Sequence, residues 1–321
     1  MYESGGEEMA KYILKRLGYT VVTLFALCAV TFFMMRALPG DPFVGEKMPP
    51  QAVLDNLNAK YGLDKPVGEQ FLIYVGNFLH GDFGVSTKYN RPVSEIIGQG
   101  FAYSFDLGIR ALIFAIIMGI LLGIVAAVKR GTAWDTVTMF IAILGVSVPS
   151  FIVGAVLQYF LALKLFQWTG IHFFAVMGWK DFNSKILPAF ALSFSSLATI
   201  SRLMRTSMLD VLGQDYIKTA KAKGLSSRRV IWKHGVRNAI MPVITVIGPI
   251  AASILTGAFV VEKIFNIPGL GKYIVDSVAG NDYTMISGTT MFYGTFLVLA
   301  NFVVDIAYGF IDPRVKLEGG K

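Results

Sequence analysis

The chain has 321 residues, of which 54% are apolar and only 16% charged, and it carries a net charge of +8. A soluble domain holds about 25% charged residues, and here the deficit is concentrated in six long charge-free windows, which excludes an ordinary globular enzyme. The basic excess sits between those windows, as in a membrane protein with positively charged inner loops, so no nucleic-acid partner is expected.

The windows cover residues 17–35, 111–128, 137–163, 186–201, 238–261 and 283–304. A spanning helix takes roughly 20 apolar residues, at ~1.5 Å each, to cross ~30 Å of hydrocarbon. Five windows meet that length or nearly so. The fourth is shortest and needs flanking residues or a tilt. The expectation is an all-α integral membrane protein with six transmembrane helices. Placing both termini in the cytoplasm puts Lys11, Lys15, Arg16, Lys129, Arg130, the nine basic residues of 202–237, Arg314, Lys316 and Lys321 on the inner side.

Residues 1–16 form a cytoplasmic N-terminus whose acidic start, 1–8, reads as a disordered extension or a cloning remnant. The first span is too long for a signal-peptide core, and Arg36-Ala37-Leu38-Pro39-Gly40 offers no cleavage-type pattern, so it is read as a retained anchor. Cys28, the single cysteine, excludes an internal disulfide and a cysteine-cluster metal site.

Residues 17–102 then comprise the first span and an external segment. Pro39-Gly40-Asp41-Pro42 stops the first helix. Pro49-Pro50 open a short helix with Val53, Leu57 and Tyr61 on one face and Gly62 at its end, and Phe71, Val75 and Phe78 predict a second amphipathic helix that ends near Gly81. Such a segment is either a cap on the membrane surface or a docking surface for an external partner.

A five-helix core follows over 103–312, with a tail over 313–321. Ala115, Gly119, Gly123 and Ala127 form a small-residue stripe that allows close approach of another helix. Asp106 and Arg110 are spaced for an ion pair. Pro149, Pro188, Pro242 and Pro249 suit helices that bend around a cavity. Ser193, Ser196, Thr199, Thr245, Ser253 and Thr256 are candidates for lining a translocation pathway, although hydroxyls in such helices also bond to their own backbone. Asn301 and Asp305 share a face of the last span, where an acid is functional or structural.

The loop 202–237 holds nine basic and two acidic residues. Asp215 is placed to cap a short helix that ends at Gly224, and Ser226 or Ser227 to cap the next. The pattern is helix, glycine, helix: either a basic loop on anionic lipid headgroups or a coupling helix shown to a cytoplasmic partner.

No catalytic or metal-ligating constellation is present. Ile267-Pro268-Gly269-Leu270-Gly271-Lys272 imitates a phosphate loop, but Asn266 and Tyr273 occupy required positions. Gly145-Val146-Ser147-Val148-Pro149 breaks a nucleophile elbow at its last position. His80, His172 and His234 are far apart.

Residues 215–225 resemble the EAA motif of ABC-importer permease subunits, with Lys218-Thr219-Ala220 at the EAA positions and Gly224 at the glycine. His234-Gly235-Val236-Arg237-Asn238-Ala239, Leu38-Pro39-Gly40-Asp41-Pro42, Gly81-Asp82-Phe83-Gly84, Pro149-Ser150-Phe151, Ile267-Pro268-Gly269-Leu270-Gly271 and Asp312-Pro313-Arg314 resemble the oligopeptide/dipeptide branch. Phe32-Phe33-Met34-Met35-Arg36 and Pro42-Phe43 are most similar to its B-type subunit.

The resemblance implies a type I ABC importer permease fold in the bacterial cytoplasmic membrane. It also implies a homologous second permease subunit, two cytoplasmic ATPase subunits that use ATP and Mg, an external peptide-binding protein, and an oligopeptide substrate. No cofactor is expected in this chain. Asp215, Lys218, Thr219, Ala220, Ala222, Gly224 and Leu225 would couple the ATPases to the spans. Dipeptides, nickel chelates or other small solutes are alternative cargo. A stand-alone secondary transporter is the competing class, but no internal repeat is evident and buried charges are few.

Overall fold

The computed structural model of the chain describes residues 4–37, 64–256 and 258–311. These residues form α1 (Ser4–Ala37), α2 (Val67–Leu79), α3 (Val93–Val128), α4 (Ala133–Ser147), α5 (Ser150–Thr169, π-helical over Gln158–Lys164), α6 (Phe182–Leu212), α7 (Asp215–Ala222), α8 (Met241–Thr256), α9 (Phe259–Ile264), α10 (Leu270–Ala279) and α11 (Tyr283–Ile311). Short helical pieces over Ser227–Arg229, Val230–Val236 and Arg237–Ala239 lead into α8. The non-helical pairing among the described residues is one bridge between Val85 and Pro92. Among the described residues, six helices are long and apolar enough to cross a membrane: Met9–Ala37, Val93–Val128, Ser150–Thr169, Phe182–Leu212, Met241–Ile264 and Tyr283–Ala307. The helix expected over Pro49–Tyr61, and the motifs at Leu38–Pro42 and Asp312–Arg314, lie outside the described residues.

The chain sorts into two compact units, one falling within residues 1–104 and 268–321 and the other within 105–267. This grouping differs from a sequential division at 102/103 and 312/313, because α11 packs on both α1 and α10.

In the first unit, α1 and α11 approach so closely that a Cβ on Gly294 would lie 2.5 Å from the Leu27 side chain. At one end of the pair Arg16 Nη1 meets Asp305 Oδ2 at 3.0 Å, and the Tyr12 hydroxyl donates to the Asp305 carbonyl. Asp305 is therefore a structural ion pair, and the start of α1 and the end of α11 share one end of the unit. The helix predicted from Phe71, Val75 and Phe78 is α2. Phe71 packs edge-on against Phe25 and Phe32 of α1, with centroids at 5.8 and 5.4 Å. The buried Gln70 accepts from the Arg36 guanidinium and donates to the Lys65 carbonyl.

Asp282 is wholly buried. It caps α11 by accepting from the Met285 amide at 3.0 Å, and it also accepts from the Ser86 hydroxyl and the Lys88 amide. The segment after Gly81 is thus anchored to the start of α11. Tyr89 packs edge-on against Tyr273, and burial, with Asp276 nearby, pushes its hydroxyl up to about 12.

In the second unit the small-residue stripe of α3 meets α6. A Cβ on Gly119 would lie 2.8 Å from Ile200 Cβ, and one on Gly123 2.6 Å from Met204 Cβ and from the Ser201 carbonyl. Ala115 and Ala127 are buried on either side. Backbones meet there because nothing larger intervenes.

The window 137–163 is not one helix. Val148 and Pro149 are extended (φ −97°, ψ 122° and φ −56°, ψ 138°) and separate α4 from α5. Proline disfavours helical backbone in the residue before it, which ends α4 there. Both halves follow α6 in register: Asp135 sits on Arg205, a Gly145 Cβ would lie 2.6 Å from Ala198, and one on Gly154 3.5 Å from Ala191. Together they make one broken antiparallel passage. Gln158 fastens α5 by donating to the Val176 and Ile264 carbonyls at 2.8 and 3.1 Å.

The window 186–201 lies inside a 31-residue helix, so its shortness needs no tilt. Of the other prolines, Pro188 and Pro249 lie inside α6 and α8, and Pro242 falls in the first turn of α8.

Candidate functional site

The loop after α6 folds as a compact helix–glycine–helix unit. Gln214, not Asp215, takes the N-cap position of α7. Asp215 is the first helical residue, and no side chain caps the amides. Its carboxylate instead meets Lys218 Nζ at 2.8 Å on an exposed surface, and an acid in the first turn still favours the helix dipole. Ser226 takes the next N-cap position, again without a side-chain bond.

The C-terminal end is specified fully. Gly224 has φ +75°, its amide donates to the Lys221 carbonyl at 2.9 Å, and the Leu225 amide reaches back to the Ala220 carbonyl at 3.3 Å. That double bond pattern is a Schellman cap, which satisfies carbonyls that α7 leaves open. Its hydrophobic contact is present too. Leu225 and Leu212 pack against the buried Ile217, Ala220 and Val230.

This cluster sorts the predicted coupling residues by face. Ala220 points inward, so its small side chain serves packing within the loop and not the close approach of a partner. Asp215, Lys218, Thr219, Ala222 and Gly224 are exposed, as are Tyr216, Lys221 and Lys223. The outward face is cationic and contains one small residue near its end. Asn238 donates to the Tyr216 hydroxyl at 3.1 Å and to the His234 carbonyl at 2.9 Å, which ties α7 to the helical stretch entering α8.

The hydroxyl candidates separate as well. Ser193 is fully buried and donates to the Phe190 carbonyl at 2.7 Å, so it does not face a passage. Thr199, Thr245 and Thr256 donate to carbonyls four residues back. Ser196 is half-buried, and Ser253 is exposed.

Sequence reasoning missed Ser195, Arg202 and Thr206. With Thr199 and Asp210 they fall at helical spacing along one open face of α6, where Ser195, Arg202, Thr206 and Asp210 are exposed. On α8, Met241, Thr245, Pro249 and Ser253 make a second open face at steps of four. The signal was readable as polar residues at 195, 199, 202, 206 and 210, but only the packed side of α6 shows that this face stays uncovered. Arg202 has no carboxylate partner among the described residues. A guanidinium and three hydroxyls turned toward hydrocarbon are costly, so this face suits water or a protein partner.

Asp106 and Arg110 pair as their spacing predicted, at 2.8 Å. Two residues far away in the chain join them: Lys185 Nζ and Trp179 Nε1 each donate to Asp106 Oδ2 at 3.2 Å. The carboxylate thus joins α3 to the start of α6, which is a structural role. The phosphate-loop imitation is occupied internally, since the Leu270 amide donates to Ser104 Oγ at 3.0 Å and Leu270 is buried. Among the described residues, no group of three His, Cys, Asp or Glu side chains could hold a metal ion.

Comparison with known proteins gives the same picture over the whole length. The family described as "Binding-protein-dependent transport system inner membrane component" matches residues 119–317, and "Binding-prot-dependent transport system membrane comp, N-term" matches residues 9–108. The chain is 45% identical to the dipeptide transport system permease protein DppB of Bacillus subtilis, over 97% of this chain and 99% of that one. It is 43% identical to DppB of Lactococcus lactis, over 96% and 100%. It is 40% identical to the oligopeptide transport system permease protein OppB of Haemophilus influenzae, over 96% and 100%.

Proposed function

The chain belongs to the family of binding-protein-dependent transport system inner membrane components, and from that membership we infer that it is a permease subunit of an ATP-driven peptide importer, forming half of the passage for oligopeptides. The observation that carries this reading is the near-full-length likeness to peptide permeases. The helix–glycine–helix loop and the open polar face of α6 support the same reading.

In this reading a homologous second permease subunit completes the passage and an external binding protein delivers the peptide. Two cytoplasmic ATPase subunits bind and hydrolyse ATP with Mg. Their closure pushes on the outward face of α7. Because Ile217, Ala220 and Val230 hold α7 to the base of α6 and the entry to α8, a push on α7 moves both helices together. The termini and the loop 202–237 lie in the cytoplasm, on the strength of their basic excess.

The test is purification of the tagged chain from native membranes, followed by reconstitution. A second permease and two ATPases should copurify, and uptake of a labelled peptide should need ATP and the binding protein. Purification of the chain without any ATPase, with uptake driven by an ion gradient, would make it a secondary transporter. Topology is read on a Cys28-free background: a cysteine at Ser227 should resist an impermeant maleimide added outside intact cells, and labelling there would invert the arrangement.

A dipeptide cargo is the second reading. It is favoured by the 45% and 43% identity to permeases named for dipeptide transport. Competition of dipeptides and longer peptides for uptake by the same reconstituted complex decides between them.

A further inference from the structure

The helical path after Gly224 continues from Ser227 into α8, with Ile240 between the last two pieces still helical (φ −76°, ψ −20°). Its first turns carry an open hollow of about 520 Å³ lined by Ser226, Arg228, Arg229, Trp232 and Lys233. All five are exposed, and half of the Trp232 surface is open. On the opposite side Val230 and Gly235 are buried against the protein, so the stretch is held and the hollow faces outward. Arg228, Arg229 and Lys233 have no carboxylate partner among the described residues.

We propose that this hollow binds the headgroup of an anionic phospholipid in the leaflet on the loop's side of the membrane. Depth is the first reason. Trp232 precedes the apolar window at residue 238 by six residues, which at ~1.5 Å per residue is about 9 Å. The headgroup layer on each side of the hydrocarbon is roughly 5–8 Å thick, so the Trp232 backbone lies at the outer edge of that layer, where headgroup and water meet.

Side-chain chemistry is the second reason. Tryptophan prefers this layer because its ring is apolar and its N–H polar. Two guanidinium forks and an ammonium around the same hollow match a phosphodiester, which accepts paired hydrogen bonds from arginine. A free phosphate would satisfy the cations and leave the indole open to water, whereas a phospholipid covers both. An ATPase subunit is disfavoured here because the outward face of α7 lies before the Gly224 turn and the hollow beyond it, on the helix that enters the membrane.

The test is native mass spectrometry of the full chain in its purified complex, in mild detergent, with phosphatidylglycerol or phosphatidylcholine added. The wild type should retain phosphatidylglycerol in preference. Each basic residue near an anionic surface contributes about a factor of five, so the triple variant R228Q/R229Q/K233Q should bind phosphatidylglycerol about a hundredfold more weakly. Trp232→Ala should weaken both lipids. Glycerol phosphate at equal concentration should displace neither.

Equal retention of phosphatidylglycerol by wild type and triple variant overturns the proposal. Displacement by glycerol phosphate overturns it in favour of a free-anion site. Loss of a bound ATPase subunit from the triple variant, with lipid retention unchanged, assigns the surface to a protein. The variant R228K/R229K keeps the charge and loses the forks: with an unchanged unfolding midpoint it should retain phosphatidylglycerol less well than the wild type and better than the triple variant, and retention equal to the wild type would count against the guanidinium site. A complex without any ATPase would count against the importer reading and leave lipid retention as it is.

Discussion

Arg205 holds Asp135 with one edge of its guanidinium, Nε to Oδ1 at 2.6 Å and Nη2 to Oδ2 at 2.8 Å, while the Gly131 amide donates to the same carboxylate at 3.0 Å. The Asp135 side chain is 9% exposed. One carboxylate therefore joins the turn after α3, the first turn of α4 and the C-terminal third of α6. Arg205→Lys keeps the charge but loses the fork, and should cost about 2 kcal/mol. The check is a lowered unfolding midpoint of the complex in detergent, with Asp135→Asn lowering it similarly and the double variant less than the sum. Additive losses would show that the two residues act apart.

The turn at Gly224 separates backbone strain from crowding. A Cβ there would meet nothing within 4 Å, yet φ is +75°. Gly224→Ala should cost about 1 kcal/mol and Gly224→Val about 1–3 kcal/mol, because a β-branched residue resists positive φ. Membrane insertion and pairing with the second permease should survive. Peptide uptake should fall steeply in the valine variant, and ATP hydrolysis should lose its response to loaded binding protein. Wild-type uptake and stimulation in proteoliposomes would remove this turn from the coupling path.

Gly123 makes the opposite case, where conformation is helical and space is absent. Gly123→Val would drive its side chain into Met204 and the Ser201 carbonyl, both 2.6 Å from the first added carbon. Overpacking of about 1–3 kcal/mol should follow. The yield of assembled complex should drop, whereas Gly18→Ala, with nothing within 4 Å of the new methyl, should leave it unchanged.

The polar face of α6 predicts a pattern of chemical accessibility. On a Cys28-free background, cysteines at Ser195, Thr199 and Thr206 should react with a water-soluble maleimide in the purified complex. A cysteine at Ser193, fully buried and backbone-bonded, should not. Added peptide should slow the reaction at the exposed positions if they line the passage. Arg202→Ala should leave assembly intact and reduce uptake several-fold. Uniform protection of all four cysteines would assign this face to the subunit interface instead.

Much of this molecule is legible in composition and spacing because hydrocarbon is an undemanding reader: it asks only for some 20 apolar residues without charge. The helical class, the number of spans, the stripe from Ala115 to Ala127, the Asp106–Arg110 pair and the glycine-ended helix α7 all follow from local rules about length, size and helical repeat. The Gly224 turn was predictable for the same reason, since its constraint is carried by the glycine's own backbone.

What local rules could not decide were the contacts between distant residues. Pro149 announced a bend, but α6 decides that the two halves run on as one broken passage, through contacts from Asp135 to Gly154. Ala220 and Ala222 look alike in sequence, yet one is buried against Val230 and the other is exposed, because only the folded loop sets which side of α7 is covered. The same holds for Ser193 and Ser195, two residues apart on a helix and thus on opposite faces. Asp106 gained Lys185 and Trp179, and Asp305 gained Arg16, from far along the chain. A side chain's partner is set by which helices pack together, and that packing depends on shapes supplied by the whole chain at once.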